Sequence, residues 1–156
     1  MRHDTYDLDA TNVDWIDAGD TPTQPILTIR YAGSPARLKE RLMRSESSLL
    51  GAEEIDVTFR FQSPVSDAET HGVLAVSNNV TGDFVCEVGT DAAPIQKFVQ
   101  AARRYAQATE RDTAYAVRFW TDDGLTVAYE KGVLLVYGPN GILLRHDSLI
   151  PNGIEI

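Results

Sequence analysis

The chain has 156 residues, 23 acids against 14 bases and a net charge of −9, with 43% hydrophobic and 24% charged residues. That is an ordinary globular balance on an unusually acidic chain, sized for one domain with a core of its own. One cysteine, Cys86, excludes an intrachain disulfide framework, and no stretch approaches the roughly 18 apolar residues that a membrane helix needs. Fourteen of the acids are Asp, and only three bases are Lys (Lys39, Lys97 and Lys131). Acidic, lysine-poor surfaces keep a protein hydrated and dispersed when salt screens other repulsions, so the composition points to a high-salt cytoplasm. The N-terminal residues lack the apolar run of a signal peptide, in line with a cytoplasmic location.

In chain order, Tyr6, Leu8 and Ala10 alternate with Asp7, Asp9 and Thr11, the pattern of an amphipathic strand with a carboxylate-rich outer face. Val13 and Trp15 have the opposite parity, so the strand bulges or ends near Asn12. Leu27, Ile29 and Tyr31 make a second strand. Ser34 and Pro35 start a helix, cap and first helical residue respectively; it is expected to run to about Arg44 with a thin apolar stripe of Leu38, Leu42 and Met43. Residues 45–54 form a loop that tucks Leu49 and Leu50 under the sheet. Ile55, Val57, Phe59 and Phe61 alternate with polar residues as the clearest strand in the chain, and a solvated loop spans 63–70. Residues 71–78 and 83–89 pair as a hairpin. With Val80 and Thr81 at its tip, Val73, Ala75 and Ser77 face Val88, Cys86 and Phe84, and His71 faces Thr90.

Residues 91–108 organise the rest. Asp91 can cap a helix through its carboxylate, Pro94 fits the first turn, and Ile95, Phe98, Val99, Ala102, Tyr105 and Ala106 fall on one stripe. About five turns of amphipathic helix need an apolar sheet to lie on. Four strands in a meander follow: 115–119, 125–129, 133–137 (an apolar run suited to a central strand) and 142–144, with a short edge strand at 151–156. The expected core combines Ile55, Val57, Phe59, Phe84, Phe98, Val117, Phe119, Leu135 and Tyr137. The order ββαβββαββββ predicts a single α+β domain over 1–156, a mainly antiparallel sheet with two helices packed on one face.

Chemistry-bearing residues are few. His3, His71 and His146 lie apart without ligand spacing, so neither a metal nor another cofactor is expected. Cys86 shares parity with Phe84 and Val88, the pattern of a small core residue rather than a nucleophile. Asp122-Asp123-Gly124 is turn chemistry, Asp7 and Asp9 are surface carboxylates, and no phosphate-binding or nucleophile-elbow motif occurs. One asymmetry stands out. Eight of the 14 bases lie on or just after the two helices: Arg37, Lys39, Arg41, Arg44, Lys97, Arg103, Arg104 and Arg111. If both helices cover one face, the first seven of that set form a locally positive patch for an anion or an acidic partner. Pairing with neighbouring acids such as Glu40, Glu46 and Glu110 is the bland reading of the same residues.

Tyr-Asp-Leu-Asp from Tyr6, Asn-Val-Asp-Trp from Asn12, Tyr-Glu-Lys from Tyr129 and the ending from His146 resemble a family of small acidic proteins of unknown function from halophilic archaea. That resemblance implies a haloarchaeal cytoplasmic protein and carries no activity with it. The element order from Ile26 to Leu144 also looks like one domain of a DNA sliding clamp, a family whose helices line a basic channel; it carries no functional residues over. The expectation is a non-enzymatic adaptor or binding module, with a protein partner ahead of a nucleic acid, no membrane partner, and a small hydrolase last.

Overall fold

The computed structural model describes residues 6–45, 47–63, 70–111 and 113–150. The first alternating segment forms β1 (Tyr6–Thr11). It ends at Asn12, whose φ of 60° turns the chain, and a single helical turn, α1 (Trp15–Ala18), follows, closed by Gly19 at φ 71°. Next come β2 (Ile26–Tyr31) and α2 (Pro35–Arg41), with Ser34 as N-cap and Pro35 at the first position. α2 stops short of Arg44: Met43 leaves the helix to start β3 (Met43–Ser45), which turns back onto β4 (Ser48–Leu49). A 3₁₀ turn at Ala52–Glu54 leads into β5 (Ile55–Phe61), β6 (His71–Asn78) and β7 (Phe84–Asp91). The long helix α3 (Ala92–Thr109), β8 (Tyr115–Thr121), β9 (Gly124–Lys131), β10 (Leu135–Tyr137) and a 3₁₀ turn at Arg145–Asp147 complete the described chain. The expected strand at 151–156 and most of the 63–70 loop lie outside the described residues.

The fold is α+β and rich in antiparallel pairs, but the strands form two four-stranded sheets, β1-β2-β8-β9 and β10-β5-β6-β7. Each contains one parallel pair, β2 with β8 and β5 with β10. This replaces the meander expected after α3. β8 and β9 form a hairpin, β10 crosses to the edge of the other sheet, and the 142–144 segment contributes only an isolated bridge between Leu143 and Tyr137. The clamp-like order rested on that meander.

Hydrogen bonds from Tyr6 and Lys131 tie the sheets together. The Tyr6 phenol donates to the Val85 carbonyl at 3.4 Å. Lys131 Nζ donates to the carbonyls of Ala52 and Ile55 at 2.7 and 2.6 Å. Burial pulls the pKa of this half-buried lysine down, against the opposing pull of Asp56 and Glu53. Leu27, Ile29, Val117 and Phe119 share one core with Val57, Phe59 and Leu74, and both longer helices bury their stripes in it. Leu38 and Leu42 enter from α2; Ile95, Phe98, Val99 and Ala102 enter from α3, with Phe98 edge-on to Tyr115 at 5.3 Å. Gly72 allows this packing, because a Cβ there would run into the Phe59 ring.

Three expected core residues stand elsewhere. β7 carries a bulge, so its register to β6 shifts between Val76 and Ser77. Ser77 faces Phe84 as expected, but Val73 faces Gly89 and His71 faces Asp91. The extra residue puts Val85 and Cys86 inside and leaves Phe84 58% exposed. In β10 the parity is inverted: Val136 and Leu134 are buried, Leu135 and Tyr137 only half-buried. Phe98→Ala should therefore cost about 3–5 kcal/mol in chemical denaturation, whereas Phe84→Ala should stay within about 0.5 kcal/mol. Equal losses would contradict the shifted register.

Candidate functional site

The helix bases go to two sets of neighbours. On α2, burial of Leu38 and Leu42 leaves Arg37 and Lys39 exposed and Arg41 half-buried. Arg41 Nη1 donates to the Tyr6 phenol oxygen at 2.8 Å, and Arg44 pairs with Glu54 at 3.5 Å. On α3, Lys97 Nζ meets Asp17 at 2.9 Å and Asp14 at 3.1 Å, and those two carboxylates push its pKa up. Arg103 Nη2 donates to the carbonyls of Ser148 and His146 at 2.8 and 3.2 Å. Arg104 is exposed beside a hollow shared with Trp15 and Ile16 of α1.

Cys86 lies under a groove between β1 and β7 that is also lined by Tyr6, Arg41 and Glu87. Burial pushes its thiol up to about 12, against the lowering influence of a backbone hydrogen bond from Val76 and the charge of Arg41. His71 is not a lining residue of this groove. Its Nδ1 pairs with Asp91 Oδ1 at 2.7 Å, on the solvent side of both residues. Asp91 is the N-cap residue of α3 by position, but its carboxylate makes no capping bond, because it is turned to His71. Among the described residues no three His, Cys, Asp or Glu side chains gather where they could hold a metal ion.

A different surface brings together charges that lie outside both longer helices. Strand parity turns Leu27, Ile29, Val117 and Phe119 inward and their alternates outward. The register of the first sheet then sets Asp7, Arg30, Trp120 and Leu125 side by side in one row, and Asp9, Thr28, Arg118 and Ala128 in the next. A third row runs Thr11, Ile26, Ala116 and Glu130. This face lies open to solvent at Asp7, Asp9, Arg30, Ala128 and Glu130, with Leu125 51% exposed. The Arg30 guanidinium lies over the Trp120 ring, 5.8 Å from its centroid. Asp7 stands directly opposite Arg30 in the ladder, yet among the described residues the side chains of Asp7, Asp9 and Arg118 make no ion pair or hydrogen bond, and the Arg30 guanidinium pairs with the Trp120 ring rather than with a carboxylate. Glu130 accepts from the Gln24 amide at 3.0 Å. The alternation of Thr28 and Arg30 with apolar neighbours signalled the outward side chains; the parallel pairing that sets Arg30 beside Trp120 left no local signal.

The fold is α+β with two mixed sheets, one of which presents a largely solvent-exposed face bearing both signs of charge. A family model matches the chain over residues 1–156, and the chain belongs to that family, DUF5793, a family of unknown function. Neither a curated protein nor a solved structure matches it.

The placement of Cys86 has a direct chemical consequence. At about pH 8 a thiol reagent should label the native chain on the order of a thousandfold more slowly than the denatured chain, since only thiolate reacts. Fast native labelling would contradict the buried, protonated thiol.

Proposed function

We propose that this chain is a non-enzymatic binding module of a halophilic archaeon, acting in the cytoplasm and engaging protein through the outer face of the β1-β2-β8-β9 sheet. The observation that carries the reading is Arg30 lying over Trp120 on a sheet face where, among the described residues, the Asp7, Asp9 and Arg118 side chains make no ion pair or hydrogen bond. Tryptophan and arginine are the residue types in which interfaces concentrate binding energy. A guanidinium held over an indole offers an already ordered surface at low entropic cost. The acidic, lysine-poor composition and the resemblance to haloarchaeal proteins support the setting.

The helix bases are the rival surface, for a nucleic acid. Lys97, Arg103 and Arg44 already meet acids or carbonyls of the chain itself, which leaves fewer of them for phosphates. The two readings separate by capture from a haloarchaeal lysate in molar KCl. Trp120→Ala should reduce recovery of the protein partner by about tenfold or more, while Arg37→Ala and Lys39→Ala should not. Bound nucleic acid lost steeply with added salt and with the helix substitutions, with Trp120→Ala silent, would overturn the sheet-face reading.

A further inference from the structure

The second sheet ends at β7, and β7 pairs with no strand on the side away from β6. The phase of the ladder decides which of its main-chain groups face that side. The Ala92 N–H donates to the Thr70 carbonyl at 2.9 Å, just beyond the His71–Asp91 pair. Hydrogen-bonded and non-bonded pairs alternate in an antiparallel ladder. Thr90 and Val88 therefore exchange bonds with Gly72 and Leu74, and Glu87 and Gly89 turn their N–H and C=O groups away from β6. The next pairing agrees in phase. The Gln62 N–H donates to the His71 carbonyl at 2.8 Å, so β6 gives the main chain of His71, Val73 and Ala75 to β5.

The free side of β7 is open. At its start the Val85 carbonyl accepts from the Tyr6 phenol. Past that point, among the described residues, the main chain of Glu87 and Gly89 has no partner on this side. Gly89 is exposed and has no side chain, so it is the peptide backbone itself that meets solvent. A Cβ built there would touch nothing within 4 Å. Both residues line the hollow that Tyr6, Val73 and Phe84 also border.

We propose that this edge, at residues 87–89, takes an extended peptide of a partner protein as a fifth strand, with an aromatic residue opposite Gly89 and a lysine or arginine opposite Glu87. The site is separate from the outer face of the β1-β2-β8-β9 sheet and does not depend on it. Donors and acceptors that recur every second residue along one line are matched by another strand. Side chains two apart on such a strand share a face. One of them meets Gly89 and, beyond it in the same row, the half-buried Val73. An aromatic ring there covers the bare backbone of an edge glycine. The other meets Glu87, which is exposed and makes no ion pair among the described residues, so a cation is the complementary charge. The bulge ahead of Cys86 disrupts the ladder over the first part of β7 and confines docking to the part that follows.

Selection of displayed random peptides of about ten residues on the full chain, at about 0.1 M KCl where exposed charges still act, tests the proposal. Multivalent display retains weak binders. Enriched peptides should carry an aromatic and a basic residue two positions apart. N-methylation along a synthetic copy of one of them should weaken binding at every second residue only. Gly89→Pro removes an N–H that β6 does not use, so the chain should fold by circular dichroism and bind that peptide about tenfold more weakly or worse. Glu87→Lys, which leaves the backbone intact, should exchange the selected basic residue for an acidic one. No enrichment, an N-methyl scan without alternation, or a selected sequence unchanged by Glu87→Lys would overturn the assignment. A wild-type dimer in sedimentation equilibrium that Gly89→Pro dissociates would overturn it too, giving the edge to a second copy of the chain.

Discussion

The parallel pairing of β2 with β8 is the constraint on which the rest of the molecule depends. Parallel neighbours cannot be joined by a tight turn, and here residues 32–114 lie between them, including β5, β6 and β7 and both longer helices. The second sheet repeats the device, with β10 completing it parallel to β5. Early and late strands thus stand side by side in both sheets, so neither sheet can form from one half of the chain. Closing such long loops costs entropy that grows only logarithmically with length, but it must be met before the contacts repay it. The single core shared by the sheets with α2 and α3 is what repays it.

What the sequence made legible follows from the range of each signal. The strand at Ile55–Phe61 and the stripe of α3 are local periodicities, and both stand in the structure where the alternation placed them. The failures sit where one residue changes the phase. A single extra residue in β7 moves Cys86 and Val85 together into the core and turns Phe84 out, since strand parity has a period of two. α1 is one turn long, too short for any periodicity to announce, and its position is fixed instead by the left-handed Asn12 and Gly19 on either side. The periodicity carries α2 too far because Met43 continues a helical stripe, whereas that residue starts β3.

The candidate site divides the same way. That Arg30, Arg118 and Trp120 turn outward is written in local alternation. That they form one surface depends on the register of two strands some ninety positions apart, which single-sequence patterning does not encode. The helix bases drew attention because they cluster in sequence, but clustering along a chain is not clustering in space. Lys97 belongs to α1 through Asp14 and Asp17, whereas Arg41 belongs to β1 through Tyr6.

The choice made by Arg30 is a physical one. Facing Asp7 across the ladder, it has an ion pair within reach of its side chain and instead lies over Trp120. An exposed ion pair contributes about 0–1 kcal/mol, and a cation–π contact at an exposed site about 0.5–1 kcal/mol, so in dilute solution the two nearly balance. Salt shifts that balance. At about 1 M ionic strength the Debye length is near 3 Å, comparable to the separation of an exposed ion pair such as Lys97 with Asp17 at 2.9 Å. The contact of a weakly hydrated, planar guanidinium with an indole also draws on buried apolar area, which salt does not screen. In a concentrated electrolyte the arrangement over the ring is therefore the more stable one. The proposed high-salt setting thus favours both the geometry of this one pair and the acidic composition of the whole chain.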